Sequence, residues 1–500
     1  MPTVAVAAEA KADQKQPNVI VVLADDLGPG DVRALNEQSQ IPTPALDRLA
    51  REGLSFLDAH TPSSVCTPTR YGLLTGRYAW RSRLARGVLS GTSPPLIPPE
   101  RPTLARLFRS AGYHTAMIGK WHLGWNWSRN EQTDERSGGI DFTAAVDGGP
   151  DANGFDEYYA FAASLDMPPY VWVENGQPTA VPDRTEGVSR KEDRYGWYRN
   201  GPIAPDFRIP EILPRCFQRA CDHLRARAAE PQRPFFLYLA LPAPHTPIVP
   251  VAPFRDASGI NPYADFVMQV DHHVGELLAV LDEAGIAENT LVVFTSDNGC
   301  SPEANFPLLA EHGHDPSAGL RGHKADIYEG GHRVPLLVRW PAMIAPGSTT
   351  SAVACLTDLY PTFAAITQPA GEDAKAAGGE DGFSLLPVFS GADGSGRETL
   401  VSHSVGGYFA IRRGRWKLCC CGGSGGWSPP REPVARAEGL PPLQLFDLEA
   451  DPAETTNLIE RHPDVAEDLL ARLDDEVRRG RSTPGPRLAN DREVEFRPKE

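Results

Sequence analysis

Residues 19–23 read Val-Ile-Val-Val-Leu, and the acidic pair Asp25 and Asp26 follows this run after a single alanine. A short run of aliphatic residues that ends at polar ones is typical of a strand buried in a parallel sheet. The run therefore predicts a buried strand with two carboxylates at its carboxyl end. Ligands of open α/β sheets bind beyond that end, so both aspartates are candidates for a functional site.

Apolar runs of the same kind recur along the chain, separated by helical patterns, at residues 113–118, 235–239, 291–294 and 334–338. Their alternation predicts an α/β domain with a mostly parallel sheet between helices. Polar residues follow several of these runs: Asp25, Asp26, Lys120, His122, His245, Asp297 and Asn298. The carboxyl ends of parallel strands meet at one edge of a sheet, so we expect these residues to form one site.

Helix signals lie between the predicted strands. Thr43 and Pro44 suit the cap and first turn of a helix that Gly53 can close. A second helix should begin after Thr103 and end near residue 112, where a glycine follows. Residues 123–233 are rich in Gly, Pro, Trp and Tyr and have weak periodicity, so we expect long loops that shape a substrate pocket.

The last hundred residues carry a different pattern. Short strand signals surround Ala410 and residues 416–418, and a helical pattern covers residues 463–479. These features predict a small α+β domain with an antiparallel sheet and a helix. The expected organisation is a flexible N-terminal tail, a catalytic domain and a small C-terminal domain, at residues 1–16, 17–392 and 393–500.

Composition restricts the classes of function. The net charge of −16 repels polyanions and counts against a nucleic-acid partner. No run of about 18 apolar residues exists, so we expect no membrane span. Residues 4–10 resemble the end of a signal peptide without its basic and hydrophobic regions. A trimmed signal would make the protein periplasmic or secreted, and a flexible cytosolic tail would make it cytoplasmic; both alternatives stay open.

One cysteine lies in a highly specific context. Residues 64–77 read Ser-Val-Cys-Thr-Pro-Thr-Arg-Tyr-Gly-Leu-Leu-Thr-Gly-Arg. At the start of a helix, Cys66 lies where free backbone N–H groups and the helix dipole favour an anion. Arg70, one turn later, offers a fork of donors for oxyanions. The stretch resembles the sulfatase signature, Cys-x-Pro-x-Arg followed by Leu-Thr-Gly, in which a formylglycine-generating enzyme oxidises the cysteine to formylglycine.

The resemblance implies a nucleophile that regenerates itself. One hydroxyl of hydrated formylglycine would attack sulfur, and proton loss from the second would expel sulfate and restore the aldehyde. The unmodified Cys66 thiol would instead leave a thiosulfate-type intermediate with no easy exit. The acidic and amide residues Asp25, Asp26, Asp297 and Asn298, with an oxygen of modified Cys66, resemble the calcium site of sulfatases. Ligation by oxygen alone suits Ca²⁺ or Mg²⁺ better than zinc.

Further segments extend the resemblance. Residues 119–124 read Gly-Lys-Trp-His-Leu-Gly, and residues 321–335 resemble another sulfatase block. By this resemblance, Lys120 binds formylglycine or sulfate oxygens and His122 takes the proton of the diol. His245 and Lys324 match positions that contact sulfate and the departing oxygen, and either could protonate the leaving alcohol. The implied fold is that of the alkaline phosphatase superfamily, with a smaller C-terminal sheet.

Two alternative functions differ from a sulfatase in stated ways. A formylglycine-dependent phosphonate monoester or phosphodiester hydrolase would carry a histidine in place of Asn298 and use a transition metal. A catalytically inactive binder of sulfated glycans would not require the full set of reactive residues. The resemblance leans towards bacterial relatives of N-acetylgalactosamine-sulfate sulfatases, so a sulfated carbohydrate or an aryl sulfate is the expected substrate. His314 and Asp166 are further candidates for substrate binding.

Overall fold

The computed structural model describes residues 16–130, 138–367 and 378–497. Its strands are β1 Asn18–Asp25, β2 Leu54–Phe56, β3 Ala59–His60, β4 His114–Lys120, β5 Glu157–Phe161, β6 Val173–Glu174, β7 Gln177–Pro178, β8 Arg184–Val188, β9 Tyr198–Ile203, β10 Phe235–Pro244, β11 Thr290–Ser296, β12 Leu336–Arg339, β13 Ser348–Thr350, β14 Ala354–Cys355, β15 Leu400–His403, β16 Phe409–Arg413, β17 Trp416–Cys419 and β18 Gln444–Asp447. Its α-helices are α1 Pro44–Arg51, α2 Cys66–Thr75, α3 Leu104–Ser110, α4 Ile212–Ala228, α5 Pro262–Glu283, α6 Phe306–Glu311, α7 Glu329–His332, α8 Leu359–Thr367, α9 Leu386–Phe389, α10 Glu432–Ala437 and α11 Pro463–Arg479. The expected N-terminal tail, residues 1–16, lies outside the described residues except for Gln16.

A ten-stranded sheet forms the centre of the molecule, in the order β13-β2-β12-β11-β1-β10-β4-β5-β6-β7. Its five middle strands, β11-β1-β10-β4-β5, are all parallel, and Val21 in β1 pairs with Tyr238 on one side and Val293 on the other. Antiparallel strands are confined to the flanks. The predicted mostly parallel sheet is therefore confirmed.

Helices cover both faces of this sheet. Successive residues of a strand point to opposite faces, and the first two residues of β10 show which helices lie on each. The ring of Phe236 stacks on Phe108 of α3, with ring centroids 4.3 Å apart. The ring of Phe235 contacts His223 of α4 at 5.7 Å. Helices α3 and α4 therefore pack on opposite faces, which is the layered arrangement that the alternating pattern predicts.

A second, four-stranded sheet is antiparallel throughout, in the order β15-β16-β17-β18. Helix α11 packs against β16 and β17, so the predicted small sheet with a helix is confirmed. The rings of Tyr78 and Trp80 stack at 5.4 Å, and Trp80 meets Phe409 of β16 edge-on at 5.2 Å. Aromatic packing therefore attaches the small sheet to the segment that follows α2.

The expectation of loops throughout residues 123–233 is only partly right. The segment also contains β5 to β9 and the helix α4, which has 17 residues. The buried face of α4 includes Ile212, Cys216, Ala220 and Leu224, which recur at helical spacing. Arginines between these positions obscure that period in the sequence. Within the described ranges, no helix combines the length and apolar character needed to span a membrane.

Candidate active site

Cys66 is the first residue of α2, at the carboxyl edge of the central sheet. The preceding residue, Val65, supplies no side-chain cap, so side chains do not satisfy the first N–H groups of α2 at this point. Cys66 is 2% exposed, and burial raises the pKa of its thiol against the opposing influence of Lys120 and Lys324. The unmodified thiol is therefore neutral at pH 7 and a weak nucleophile.

Arg70 lies one turn further along α2, and its donors are directed at protein groups. Its Nε and Nη2 donate to Asp297 Oδ2 at 3.0 and 2.7 Å, and its Nη1 donates to the carbonyl of Lys120 at 2.8 Å. The expected fork of donors is thus used to hold Asp297 and the end of β4. Arg70 fixes the carboxylate geometry of the site, because two charge-assisted hydrogen bonds converge on one oxygen of Asp297.

Asp25 and Asp26 meet two buried lysines. Lys120 Nζ donates to Asp25 Oδ2 at 2.6 Å, and Lys324 Nζ donates to both carboxylate oxygens of Asp26 at 2.6 and 2.8 Å. Asn298 Nδ2 donates to Asp26 Oδ1 at 2.7 Å. The residues that sequence reasoning assigned to strand ends are therefore brought together, although they come from four separate stretches of the chain.

Two oxygens of this group remain available to a cation. Asp25 Oδ1 and Asn298 Oδ1 are buried and lack a hydrogen-bond partner within the described ranges. Buried polar atoms of this kind are costly unless a partner satisfies them. Ligand atoms of Asp25, Asp26 and His245 lie within 4.8 Å of one another. The oxygen-rich group therefore fits a hard divalent cation.

The site combines equal numbers of carboxylates and cationic side chains. Three carboxylates, Asp25, Asp26 and Asp297, lie next to Lys120, Lys324 and Arg70, so fixed charges balance before any ligand binds. Burial, and then the charge of Asp25, raises the pKa of Asp297. This shift reports crowding of negative charge, which a divalent cation would relieve. A bound cation would also give the site the positive charge that an anionic ester needs.

Two residues of the site adopt left-handed backbone conformations. Asp26 has φ of 71° and His122 has φ of 55°, a region that costs non-glycine residues energy and is concentrated at functional sites. His122 Nε2 lies 2.8 Å from the carbonyl of Leu89, which can only accept, so Nε2 carries the proton. The other nitrogen, Nδ1, is buried without a hydrogen-bond partner in the described part of the chain.

The protonation of His122 suits a base. Burial, followed by the charge of Lys120, lowers its pKa well below the ordinary value. The ring is therefore neutral at pH 7, and its Nδ1 offers a lone pair.

In His245 the other ring nitrogen is engaged, since Nδ1 lies 2.5 Å from the carbonyl of Thr246. His245 Nε2 is 3.8 Å from Asp26 Oδ2.

A cavity of about 690 Å³ opens onto Cys66. Its inner wall includes Cys66, His245 and Lys324, and its outer part carries aromatic and basic residues that sequence reasoning missed: Arg190, Trp197, Arg199, Trp427 and Arg431. The only sequence signal for the first three is the abundance of Trp, Tyr and Arg in residues 190–199. Their convergence with residues 427–431 depends on how the small sheet packs, which no local spacing reveals.

The two weaker candidates for substrate binding have different positions. Asp166 lines the cavity and forms an ion pair with Arg199. His314 lies elsewhere: its Nε2 contacts Asp31 Oδ1 at 2.9 Å, and its Nδ1 accepts from the backbone N–H of Gln40 at 3.3 Å. Both of its ring nitrogens are thus engaged, and the ring is buried. His314 is not among the residues that line the cavity at Cys66, and its role in substrate binding stays a prediction.

Comparison with known proteins identifies the family. The chain matches the model of the family described as Sulfatase over residues 17–369. An N-acetylgalactosamine-6-O-sulfatase of Bacteroides thetaiotaomicron is 31% identical, with coverage of 92% of this chain and 93% of the relative. Arylsulfatase A of Homo sapiens is 35% identical over 89% of this chain and 84% of that protein.

A solved structure supports the same conclusion. It comes from work on the metabolism of multiple glycosaminoglycans by Bacteroides thetaiotaomicron. It superposes with a TM-score of 0.78 at 30% identity, covering 92% of this chain and 99% of the other. The chain belongs to the sulfatase family. It is therefore a sulfuric ester hydrolase, and both the family and the alkaline-phosphatase-like fold implied by residues 64–77 are confirmed.

Proposed function

We propose that this sulfatase hydrolyses a sulfate ester on a sugar, with formylglycine made from Cys66 as the nucleophile and Ca²⁺ as the metal. The observation that carries the proposal is the position of Cys66. It lies at the start of α2, at the inner end of a cavity, with Lys324 and His245 on the same wall. Hydrated formylglycine supplies at this position a hydroxyl nucleophile that the neutral thiol cannot provide.

The proposed calcium ligands are Asp25, Asp26, Asp297 and Asn298, together with an oxygen of the modified residue 66. The unpaired Oδ1 atoms of Asp25 and Asn298 support this assignment, as does the preference of Ca²⁺ for carboxylate and amide oxygens. When bound, the cation would polarise a sulfate oxygen and favour loss of a proton from the nucleophile. Arg70 would act as a positioning residue, because its contacts fix Asp297.

Lys120 and Lys324 would bind the anionic sulfate. Although burial opposes it, the charge of Asp26 holds the pKa of Lys324 above the ordinary lysine value. Lys324 therefore stays charged and is a poor proton donor at pH 7. We propose His245 as the acid that protonates the leaving alcohol: its Nδ1 donates to the carbonyl of Thr246, and in the doubly protonated ring Nε2 carries the proton that is transferred.

His122 would accept a proton from the nucleophile group at residue 66 after the alcohol has left. Two features support this role. Its Nε2–H is held by the carbonyl of Leu89, which fixes the tautomer with a free lone pair on Nδ1. Burial lowers its pKa, so the neutral form is available at physiological pH.

A sugar substrate is supported by the outer part of the cavity. Trp427 is 40% exposed, and exposed indole rings provide flat apolar surfaces that suit the faces of sugar rings. Trp197 lies between the guanidinium groups of Arg190 and Arg199, at 5.3 and 5.6 Å from its centroid. An aryl sulfate would leave much of a cavity of this size unfilled. The names of the relatives, a sugar sulfatase among them, agree with this substrate class.

Asn298 argues against the phosphonate hydrolase alternative. Such an enzyme needs a nitrogen ligand for its transition metal, whereas Asn298 offers an amide oxygen that is buried and unpaired in the described structure.

The inactive-binder alternative would require the loss of a reactive residue. The retention in the sequence of all six expected reactive residues speaks against this alternative: Cys66, Arg70, Lys120, His122, His245 and Lys324.

Three measurements test the proposal. Intact mass of protein made with a formylglycine-generating enzyme should fall by about 18 Da, and peptide mapping should place the loss at Cys66. Elemental analysis should give one Ca²⁺ per active chain. Rates on sulfated N-acetylgalactosamine and other sulfated sugars, an aryl sulfate and an aryl phosphonate should rank a sulfated sugar first. Active enzyme that holds zinc but no calcium at the Cys66 site, or faster phosphonate hydrolysis, would overturn it.

A substitution in the outer part of the cavity tests the sugar assignment independently of the reaction at residue 66. Trp427→Ala should raise KM for the sulfated sugar roughly tenfold, because one stacking contact is removed, while kcat/KM for a small aryl sulfate changes little. Trp416→Ala, which changes a partly buried tryptophan outside the cavity, is the matched control. Equal losses for sugar and aryl substrates in Trp427→Ala would contradict the sugar assignment.

A further inference from the structure

A second group of potential metal ligands lies at the amino edge of the parallel strands. His114 begins β4, Glu157 begins the neighbouring β5, and His223 lies on α4. Lys120 of the catalytic group ends β4, six residues after His114. Six residues of strand span about 20 Å, so this group is separate from the site at Cys66.

The three side chains converge although they are far apart in the sequence. One potential ligand atom from each of His114, Glu157 and His223 lies within 4.8 Å of the others. The two imidazole rings have centroids 5.6 Å apart and an interplanar angle of 36°. His223 Nδ1 lies 2.6 Å from Glu157 Oε1, so the carboxylate already fixes the orientation of one ring.

Two ring nitrogens of this group have no hydrogen-bond partner among the residues that the structure describes. They are His114 Nδ1 and His223 Nε2, and both atoms are buried. The His223 side chain is only 5% exposed. A buried imidazole nitrogen that lacks a partner is costly, and a metal ion satisfies such an atom by accepting its lone pair. The unpaired His114 Nδ1 therefore points to a ligand, and an ion shared with Glu157 would take His223 Nδ1, the nitrogen that faces the carboxylate, in place of the present hydrogen bond.

The surroundings permit a cation. Arg227 and Arg233 are nearby, but their guanidinium groups are paired with Glu230 at 2.8 Å and with Asp156 at 3.1 Å. Glu157 and His223 also line a cavity of about 640 Å³, which gives the group access from solvent.

We propose that His114, Glu157 and His223 bind one transition-metal cation of the Zn²⁺ class at the amino edge of the sheet. Two imidazoles and one carboxylate form a mixed nitrogen and oxygen donor set, which suits Zn²⁺ far better than Ca²⁺. Three protein ligands and the adjoining cavity leave a fourth position for water. The ion connects β4, β5 and α4, so its binding stabilises the native state.

The test uses the full chain saturated with Ca²⁺, so that the catalytic group is already occupied. Equilibrium dialysis against Zn²⁺, followed by elemental analysis, should give one zinc per chain, and Zn²⁺ should raise Tm. Removing a side chain that only hydrogen-bonds to a metal ligand changes metal affinity by about 10–100-fold. Removing a ligand itself in His223→Gln should therefore weaken binding by at least about 100-fold. Glu157→Gln should weaken it as well.

His272→Gln is the matched control. His272 belongs to an exposed group with His273 and Glu276 on α5, which is the natural competitor for zinc on the surface. The control should keep both the zinc stoichiometry and the sulfatase activity of the wild type. Loss of zinc in His272→Gln, retention in both His223→Gln and Glu157→Gln, or no stoichiometric binding by the wild type would each overturn the proposal. If His223→Gln does not fold, the partly exposed His114→Gln gives the same readout.

Discussion

The catalytic group around Cys66 and a second cluster of buried charges differ in how completely their polar atoms are paired. The second cluster, here the inter-sheet cluster, consists of His60, Glu329, His332, Lys417 and Glu454. It joins β3 and α7 to β17 and the segment after β18. We propose that residues 17–392 form the catalytic domain and residues 393–500 the smaller one, in which case this cluster holds the two domains together.

Ion pairs close the inter-sheet cluster: Glu329 Oε2 and Glu454 Oε1 lack a hydrogen bond of good geometry, but each lies close to a cationic group. Lys417 Nζ lies 3.0 Å from Glu329 Oε1 and 2.8 Å from Glu454 Oε1, and Arg333 Nη2 lies 3.1 Å from Glu329 Oε2. The Nδ1 atoms of His60 and His332 are 3.0 Å apart. Burial lowers the pKa of both histidines, so a neutral pair with one shared proton is stable there. None of the five residues of the cluster lines the cavity at Cys66.

The catalytic group is equally buried but remains open. Asp25 Oδ1 and Asn298 Oδ1 have no hydrogen-bond partner in the described ranges, and a cavity of about 690 Å³ reaches Cys66. Buried charge alone therefore does not identify an active site. Unpaired atoms together with access for a ligand do, because a closed ion-pair network has nothing left to bind. Substitutions in each group should therefore affect different quantities.

Cys66→Ala should have the largest effect. We expect kcat on an aryl sulfate to fall by about a million-fold, which is the scale seen when a covalent nucleophile is removed. The free energy of unfolding should change by no more than about 1 kcal/mol, because a small buried side chain is replaced by a similar one. Steady-state rates and urea denaturation measure the two quantities.

Cys420→Ala is the matched control for that variant, since Cys420 is equally buried but packs in the core beneath the small sheet. It should keep the wild-type kcat. Substantial turnover by Cys66→Ala would contradict the assignment of the nucleophile. A comparable loss in Cys420→Ala would remove the distinction between the catalytic group and the rest of the buried polar residues.

His122→Ala should lower kcat by about 10²–10⁴-fold, the usual contribution of a positioned acid or base. If His122 acts only after the alcohol has left, the variant should release about one equivalent of alcohol per active chain and then stall. Rapid-quench kinetics would show the burst, and mass spectrometry of the stalled protein would show sulfate retained on the chain.

His245→Ala provides the contrasting result. Loss of its proton should slow the first step, and more for a sugar than for an activated phenol, because only the poor leaving group depends on protonation. No burst should then appear. If His245→Ala instead accumulates sulfated protein while His122→Ala does not, the two roles must be exchanged.

Much of the fold could be predicted because it follows local rules. The run at residues 19–23 became β1, and the helix expected at residues 463–479 is α11 with the same bounds. The middle strands are buried on both faces, so their apolar runs have no polar interruptions. Helix α4 was obscured because arginines interrupt its apolar face, and the flanking antiparallel strands β6 and β7, of two residues each, are too short to show a period.

The site could be predicted where a motif is contiguous or where a polar residue directly follows a buried strand. Cys66 and Arg70 lie in one stretch, and Asp25 lies at a strand end that topology places beside them. The use of Arg70 to hold Asp297 could not be read from the sequence, since it depends on side-chain direction across 227 positions. Trp427 reaches the cavity only because the small sheet packs on the large one, which is a long-range contact.

A lysine-to-methionine substitution in the inter-sheet cluster and in the catalytic group should affect different quantities. Lys417→Met leaves Glu329 and Glu454 without their shared cation, and breaking a buried ion pair in this way costs about 3–5 kcal/mol of stability. The folded fraction should retain wild-type kcat, because no residue of the inter-sheet cluster lines the cavity at Cys66. Lys120→Met should instead lose activity, because Lys120 belongs to the catalytic group. Its loss of stability, compared with its loss of kcat, should be smaller than in Lys417→Met.

Denaturant unfolding and active-site-normalised kcat separate these outcomes. A fall in kcat for folded Lys417→Met equal to that of Lys120→Met would mean that the inter-sheet cluster takes part in catalysis. The triple change Lys417→Met, Glu329→Gln and Glu454→Gln should recover part of the lost stability, since it removes the unpaired charges together with the lysine.

His403 should give the smallest effect, and it concerns stability alone. His403 is the last residue of β15. Its carbonyl accepts hydrogen bonds from Ser63 Oγ at 2.8 Å and from the Ser64 N–H at 3.0 Å. Both serines lie in the segment that leads to Cys66. Burial lowers the pKa of its ring from 6.5 to about 4. The unfolded chain therefore binds a proton more readily between these values, and the stabilising effect present above pH 6.5 is lost as the pH falls through 4.

At pH 5 the loss attributable to His403 should be about 2 kcal/mol relative to pH 7.5. His403→Gln has no titrating group, so its free energy of unfolding should fall less over the same interval, by about that amount. Urea titrations of both proteins at the two pH values measure the difference. The variant should keep wild-type kcat at pH 7.5, because only its backbone contacts the segment that carries the nucleophile. Parallel losses of stability in both proteins would show that another group governs the acid limb.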